Sequence, residues 1–394
     1  MDSSRLPGDY RFSKSRDGVD FKSCVRAPLH ARNDVADQRS GSRTLEEEMH
    51  SAVDGSPSTR TAFQDSPCAG GICELAMRDS SFEEGKYLMK YLTRDQLKVG
   101  FIGLGNMGSR IAQRLLDHGY ELSVYDRDLA KAEGIATRGG TVAKNVGELT
   151  RAVDVVLSCL TNDEAVRNVY TGSGGVFAAA RPGTIVLEMS TISPDTSREL
   201  HALGASVGVE MLDVAISGST PAAERGILTL LVGGDKELFR AAQPIFQAVA
   251  KRYFLLGGAG SGTAMKLVVN TLLGVGMQAI AEAVVLGERV GLNRERLLQV
   301  LSETAVVAPA HVGKLASATV NDYRPQFPLR LMNKDFELIL KAAAKEHVAM
   351  PATEAAFYVN SEELAVADED EKDFSAVLQR MEEVAGIESI PSAR

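Results

Sequence analysis

The chain has 394 residues with 43 basic and 52 acidic side chains, a formal net charge of −9. At about 150 residues per domain this length allows two or three domains and a sizeable core. Hydrophobic residues at 44% and charged ones at 24% exclude a fully disordered chain, a collagen and a disulfide miniprotein, and the acidic balance argues against nucleic acid as a partner, since that binding draws on clustered Lys and Arg.

The opening stretch MDSSRLPGDYRFSKSRDGVD has acids where a secretory signal carries a basic and then an apolar region. Residues 1–96 are rich in Ser, Gly and Pro, as in RSGSRTLEEEMHSAVDGSPSTRT, and lack sustained periodicity. Such a segment buries too little apolar surface to offset the entropy of ordering, so a disordered N-terminal extension is expected over 1–96. Its CAGGIC run at 68–73 has no neighbours that complete a metal site, and Met89 is a second candidate start just upstream of the first predicted strand. The cysteines (Cys24, Cys68, Cys73, Cys159) are too few and too uneven for a disulfide framework, which makes the cytoplasm the expected compartment.

From Lys98 onward short apolar runs alternate with helical patterns. The predicted strands are Val99–Gly103, Leu122–Tyr125, Val153–Ser158, Thr184–Glu188, Glu210–Val214, Leu228–Val232 and Arg252–Leu256. Continuously apolar strands alternating with helices indicate a mostly parallel sheet covered on both faces, an α/β Rossmann domain over 97–261. After Gly262 the pattern turns helical, with predicted helices at Gly262–Val290, Arg294–Thr304, Asn333–Glu346 and Ala352–Leu364. An all-α C-terminal domain is therefore expected over 262–390, joined to the first by a long interdomain helix. The stretch Leu267–Gly287 has the length of a membrane span but holds Asn270, Gln278 and Glu282, so it is read as a buried helix, with no membrane among the partners. That helix is apolar on nearly every side (Leu267, Val268, Val269, Leu272, Leu273, Val275, Met277, Ile280), and covering it all round calls for a partner subunit, a homodimer or homotetramer.

The strongest local motif is KVGFIGLGNMGSRIAQRLL, in which Gly103, Gly105 and Gly108, with Asn106 and Met107 between them, form G-x-G-x-x-G after an apolar strand and at a helix start. Gly103 permits the tight turn, Gly105 lets backbone approach a pyrophosphate, and Gly108 lets helix and strand pack closely. Asp126 ends the next strand, where a carboxylate accepts hydrogen bonds from an adenosine ribose and repels a 2′-phosphate, favouring NAD. Arg127 beside it fits stacking on adenine or pairing with that phosphate, which leaves NADP open. His118, His201, His311 and His347 have no ligand-like spacing, and no metal is assigned.

Four further segments follow in order: STISP at 190–194, DVAISGSTPAAERG at 213–226, GAGSGTAMKLVVN at 258–270 and FPLRLMNKDFELIL at 327–340. With GLGNMG before them they resemble the β-hydroxyacid dehydrogenases, the 3-hydroxyisobutyrate dehydrogenase-like enzymes of the 6-phosphogluconate dehydrogenase superfamily, over about 98–387. The resemblance implies NAD(P)-dependent interconversion of a small hydroxy acid and its semialdehyde or keto form. It assigns Lys266, in G-x-x-x-K-x-x-x-N, as the catalytic proton donor and acceptor. Gly262 would leave room for a ring or substrate, and Asn270 would contact the reacting oxygen or the substrate carboxylate. Ser217, Gly218 and Ser219 correspond to the substrate-carboxylate turn, where the family pattern is close to D-x-P-V-S-G-G and Ala215, Ile216 and Ser219 depart from it. Thr191 matches a residue beside the nicotinamide ribose and also reads as a helix N-cap. Lys334 matches a lysine near the cofactor and equally fits an ion pair with Asp335 or Glu337. Leu160 and Thr161 follow the fourth strand on the cofactor side, Thr161 standing where the family often has proline. A related imine reductase and a non-catalytic dinucleotide-binding scaffold share this fold, and Lys266 weighs against both.

Overall fold

The computed structural model describes residues 97–365 and 372–387. The expected disordered extension over 1–96, with Cys24, Cys68, Cys73 and Met89, lies outside the described residues, as do residues 388–390 at the end of the expected helical domain. Eight strands form one sheet: β1 (Lys98–Ile102), β2 (Glu121–Tyr125), β3 (Thr141–Val142), β4 (Val155–Ser158), β5 (Ile185–Glu188), β6 (Glu210–Ser217), β7 (Leu228–Gly234) and β8 (Ala250–Leu255), in the order β3-β2-β1-β4-β5-β6-β7-β8. The first six pair in parallel, β7 runs antiparallel to β6, and β8 is parallel to β7. The sheet is therefore mostly parallel with the doubly wound order of a dinucleotide-binding fold.

The apolar strands are continuous because both faces are covered. Val155 and Leu157 of β4 enter one core with Ile111 and Leu115, while Val156 between them enters a second with Leu149 and Tyr170. This is the period-two alternation of a strand with helices on either side. The helices on these faces are α1 (Gly108–Asp117), α2 (Leu129–Ala136), α3 (Val146–Ala152), α4 (Asp163–Thr171), α5 (Val176–Ala179), α6 (Pro194–Ser206), α7 (Thr220–Glu224) and α8 (Lys236–Val249).

The remaining helices are α9 (Ser261–Arg289), α10 (Arg294–Ser302), α11 (Pro309–Thr319), α12 (Leu329–Lys345), α13 (Pro351–Leu364) and α14 (Val377–Val384). They share a third core built on Met277, Ala281, Leu329, Met332, Phe336 and Phe374. By length and composition α9 is apolar enough to cross a membrane, yet it packs on β6 and β7 at one end and on α12, α13 and α14 along its length. One stripe of α9 stays bare in the single chain: Val268 is 56%, Leu272 72% and Leu286 65% exposed.

The alternation and the long helix fall where the apolar pattern predicts them, within a few residues at each end. Several elements lie outside the expected set, β3, α11 and α14 among them. β3 spans two residues, too few for any periodicity to show. α11 begins at Pro309 in an Ala-rich stretch of weak amphipathicity, and α14 follows a short 3-10 turn at Phe374–Ala376 that breaks its pattern. β6 also continues past Val214 to Ser217 because β7 pairs with it along that length.

Candidate active site

The glycine loop between β1 and α1 has the shape that a pyrophosphate requires. Gly103 sits at φ +91°, and a Cβ there would strike the carbonyl oxygen of Cys159 and stand 2.9 Å from Leu160; a Cβ on Gly108 would strike the carbonyl oxygen of Gly103. At Gly105, by contrast, an added Cβ meets nothing within 4 Å, so the outer side of the loop is open at the start of a helix that carries no side-chain cap. Helix N-termini of this kind present N–H groups to phosphate, and the loop fits a dinucleotide. Asn106 is exposed, and Met107 is half-buried against the core.

Asp126 does more than the sequence indicates. Its Oδ2 accepts from Leu104 N at 2.6 Å and its Oδ1 from Asp128 N at 2.8 Å, so the carboxylate braces the glycine loop. A carboxylate has about four acceptor positions, which leaves capacity for ribose hydroxyls. Arg127 next to it is exposed.

A chain of contacts runs from this loop to α9. Cys159 and Leu160 press on Gly103. Leu160 N donates to Ser190 Oγ at 2.8 Å, and Ser190 N donates to Glu188 Oε1 at 2.8 Å. The next residue, Thr191, accepts at its carbonyl from Lys334 Nζ at 2.6 Å. Thr191 is not the helix cap: Ser193 caps α6 through Thr196 N. Lys334 is also 2.8 Å from Asp335 Oδ1, and Asp335 Oδ2 accepts from Asn270 Nδ2 on α9. The expected ion pair of Lys334 with Asp335 is present, and the same ammonium also reaches the β5 loop at Thr191. A second tie, Lys345 Nζ to Asp195 at 2.7 Å, joins α12 to α6 at the surface.

Lys266 stands one turn before Asn270 on α9 and keeps partial solvent access. Burial of its ammonium lowers its pKa below the ordinary lysine value; Asp335 opposes that, Lys334 reinforces it, and Cys159 opposes it weakly. Lowering by burial and by a like charge is how lysines become usable bases near neutral pH.

The structure corrects the expected part of Gly262. A Cβ there would strike the carbonyl oxygen of Leu231 and stand 2.8 Å from both the carbonyl and the Oδ2 of Asp213, so this glycine lets α9 lie against β6 and β7 and leaves no room for a ligand. The neighbouring Asp213 was not singled out from the sequence. It is 1% exposed, and its Oδ1 accepts from Gly260 N at 2.8 Å and its Oδ2 from Thr263 N at 2.9 Å. A carboxylate on the first N–H groups of a helix satisfies donors that have no partner within the helix, and it fixes the turn that precedes Lys266. The signal was present as the Asp of DVAISGST.

Ser217, Gly218 and Ser219 lie at the end of β6, half-buried, exposed and exposed in turn. Gly218 has φ +143°, which favours glycine, whereas Ser219 has ordinary extended backbone at φ −92° and accepts a side chain without strain. Among the described residues no hydrogen bond joins this turn to Lys266. Thr161 is exposed at the start of the β4–α4 loop.

Residues 98–258 match the NAD binding domain of 6-phosphogluconate dehydrogenase, and residues 260–381 match the NAD-binding domain of NADP-dependent 3-hydroxyisobutyrate dehydrogenase. The chain is 32% identical over 294 residues to 2-(hydroxymethyl)glutarate dehydrogenase of Eubacterium barkeri, covering 74% of this chain and 97% of that one. It is 33% identical to glyoxylate/succinic semialdehyde reductase 1 of Arabidopsis thaliana, covering 72% and 98%. The solved structure of Mycobacterium tuberculosis 3-hydroxyisobutyrate dehydrogenase with L-serine superposes with a TM-score of 0.66 at 35% identity, over 72% of this chain and 98% of that one. An imine reductase of Myxococcus stipitatus shares only the fold, at 19% identity and a TM-score of 0.50. The chain belongs to the β-hydroxyacid dehydrogenase family of NAD(P)-dependent oxidoreductases.

Proposed function

We propose that this enzyme interconverts a small 3-hydroxy or 2-hydroxy acid and its semialdehyde or keto form, with NAD preferred and with Lys266 as proton donor and acceptor. The observation that carries this reading is the desolvated ammonium of Lys266 beside the Lys334–Asp335–Asn270 network, at the end of the contact chain from the glycine loop. A nicotinamide bound on the glycine-loop side would supply the hydride chemistry. In oxidation Lys266, in its neutral form, takes the hydroxyl proton; in reduction its ammonium returns a proton to the carbonyl oxygen. Lys334 holds the β5 loop through Thr191, and Asn270, fully buried in the single chain, donates to Asp335 and is assigned to the substrate. The Ser217–Gly218–Ser219 turn is assigned to the substrate carboxylate, and the glycine loop, Asp126, Arg127, Leu160, Thr161 and Thr191 to the cofactor. Residues 97–261 form the cofactor-binding domain in this reading and 262–390 the substrate and dimerisation domain; the cytoplasm is the assigned compartment. A panel of small semialdehydes and hydroxy acids, followed by NADH absorbance, tests it: at least one pair should turn over, and none doing so would overturn it.

The cofactor preference rests on Asp126. Asp126→Ser should narrow or reverse the NAD-to-NADP ratio of kcat/KM, because it removes both a ribose acceptor and the repulsion of a 2′-phosphate. It should also weaken both cofactors, since Leu104 N loses its acceptor. A wild-type enzyme that already favours NADPH tenfold would assign the dominant role to Arg127.

The bare stripe on α9 supports a homodimer, with a tetramer as its further association. Met265, Val268, Leu272, Leu286 and Val290 recur at helical spacing and are all exposed in the single chain, and an apolar helix face of this extent is stable only when covered. Sedimentation at micromolar concentration should show a dimer or larger species, and Leu272→Glu should shift it toward the monomer. A wild-type monomer would remove the argument.

A further inference from the structure

Below the contact chain, three buried polar side chains stand side by side on neighbouring strands. Ser158 of β4 is in register with Glu188 of β5, and Glu188 with Asp213 of β6. They are 0%, 2% and 1% exposed. Asp213 of this row fixes the turn before Lys266, whereas Glu188 has no part in the acid–base reading. Its position is nonetheless distinctive, because its Oε1 receives Ser190 N while Ser190 Oγ receives Leu160 N, both at 2.8 Å. One carboxyl group therefore anchors the β5 loop that carries Thr191 and, through a single serine, the β4 loop that carries Leu160.

We propose that Glu188 is a positioning residue, whose buried carboxyl sets the two cofactor-side loops, 159–162 and 189–193, against each other through Ser190. This deepens the reading above, since it assigns those loops to the cofactor. Glu188 acts as the neutral acid. Its Oε2 is buried without a hydrogen-bond partner, and the groups facing it from each packed element offer no cation. Asp213 stands beside it on β6. From β4 come the Ser158 hydroxyl, at a weak 3.5 Å and itself paired with Tyr170 Oη of α4 at 2.7 Å, and the thiol of Cys159. The ammonium groups of Lys266 and Lys334 act on the Cys159 thiol, and neither is among the groups that shift Glu188. His201 of α6 is paired with Asp213, 3.5 Å away. An isolated buried carboxylate next to a second one is strongly disfavoured, and burial pushes the Glu188 carboxyl up to about 8, against the hydrogen bonds from Ser190 and with the charge of Asp213 adding to the rise.

The consequence for stability has a definite sign. An unfolded Glu loses its proton near its ordinary value of 4.5, whereas the folded chain keeps it to about pH 8. Between those values the native state binds the extra proton, so this residue makes stability fall as pH rises from 4.5 to 8. Glu188→Gln keeps the acceptor for Ser190 N and cannot ionise. The test is thermal unfolding of the cofactor-free full chain from pH 5 to 9, wild type against Glu188→Gln, with NADH affinity measured by fluorescence at each pH. The two melting curves should converge near pH 5, and the Gln variant should melt several degrees higher at pH 8. Wild-type NADH affinity should fall several-fold between pH 7 and 9, while that of the Gln variant stays level. Melting curves that run parallel across this range would overturn the proposal. So would a Gln variant that binds NADH tenfold more weakly than wild type at pH 6. Ser190→Ala provides a check that does not depend on replacing the carboxyl: it should weaken NADH several-fold, while melting still falls with rising pH over a range displaced upward, because the Ser190 side chain no longer opposes the rise of the Glu188 carboxyl; unchanged NADH affinity would break the link between Glu188 and the loops. Absence of any hydroxy-acid turnover would leave these melting curves as they are, so the two readings fail separately.

Discussion

Lys266→Ala should lower kcat for hydroxy-acid oxidation by about 10²–10⁴, the range that a positioned general base contributes, and should leave NADH affinity within a few-fold. The separation follows from the proposed assignment: the pyrophosphate would lie on the loop at Gly103–Gly108 and the ribose by Asp126, which braces that loop through Leu104 N, while Lys266 sits on α9. Lys266→Arg should not restore the rate, because a guanidinium keeps its proton above about pH 12 and cannot cycle. Stopped-flow or steady-state NADH absorbance together with fluorescence titration resolves the two effects. A folded alanine variant with near wild-type kcat would make Lys266 structural and revive a non-catalytic reading of the fold.

Gly262→Ala should lower the melting temperature by several degrees, although alanine is the better helix former by about 1 kcal/mol. The added methyl meets the carbonyl oxygens of Leu231 and Asp213, which belong to paired strands and cannot rotate aside. Overpacking of this kind costs about 1–3 kcal/mol. At the upper end about 2 kcal/mol remains after the helix gain, a fall of about 4–8 °C at 2–4 °C per kcal/mol. Gly134→Ala is the control, being interior to α2 with nothing within 4 Å of the new Cβ; it should leave melting unchanged or raise it slightly. A Gly262 variant as stable as wild type would mean that α9 can move off the sheet at no cost, which its Asp213 clamp argues against.

The sequence carries most of the fold in its apolar rhythm. The run Val153–Ser158 reads as a strand on its apolar residues, and Val155–Ser158 within it forms one, fully buried. G-x-G-x-x-G is legible because each glycine answers a separate steric demand. Polar residues inside the core are the harder part. Asp213, Glu188 and Asp335 look like ordinary acids in a string of letters, and only pairing in register and at the helix start shows them to be buried and committed. Gly262 was misread for a related cause: a glycine next to a functional lysine suggests space for a ligand, while the space is filled by strand backbone. Likewise Thr191 reads as a helix N-cap on residue type alone, whereas the side chain that accepts from Thr196 N is that of Ser193.

The most direct measurement is the pH dependence of kcat for oxidation of whichever hydroxy acid turns over, in wild type and in Lys266→Ala. Burial and the neighbouring charge of Lys334 lower the Lys266 pKa, outweighing Asp335 and Cys159, so the wild-type rate should rise with a single ionisation below the ordinary lysine value of about 10.4. The alanine variant should lack that limb. A rising limb that persists unchanged in the alanine variant would contradict the assignment of Lys266 as the base.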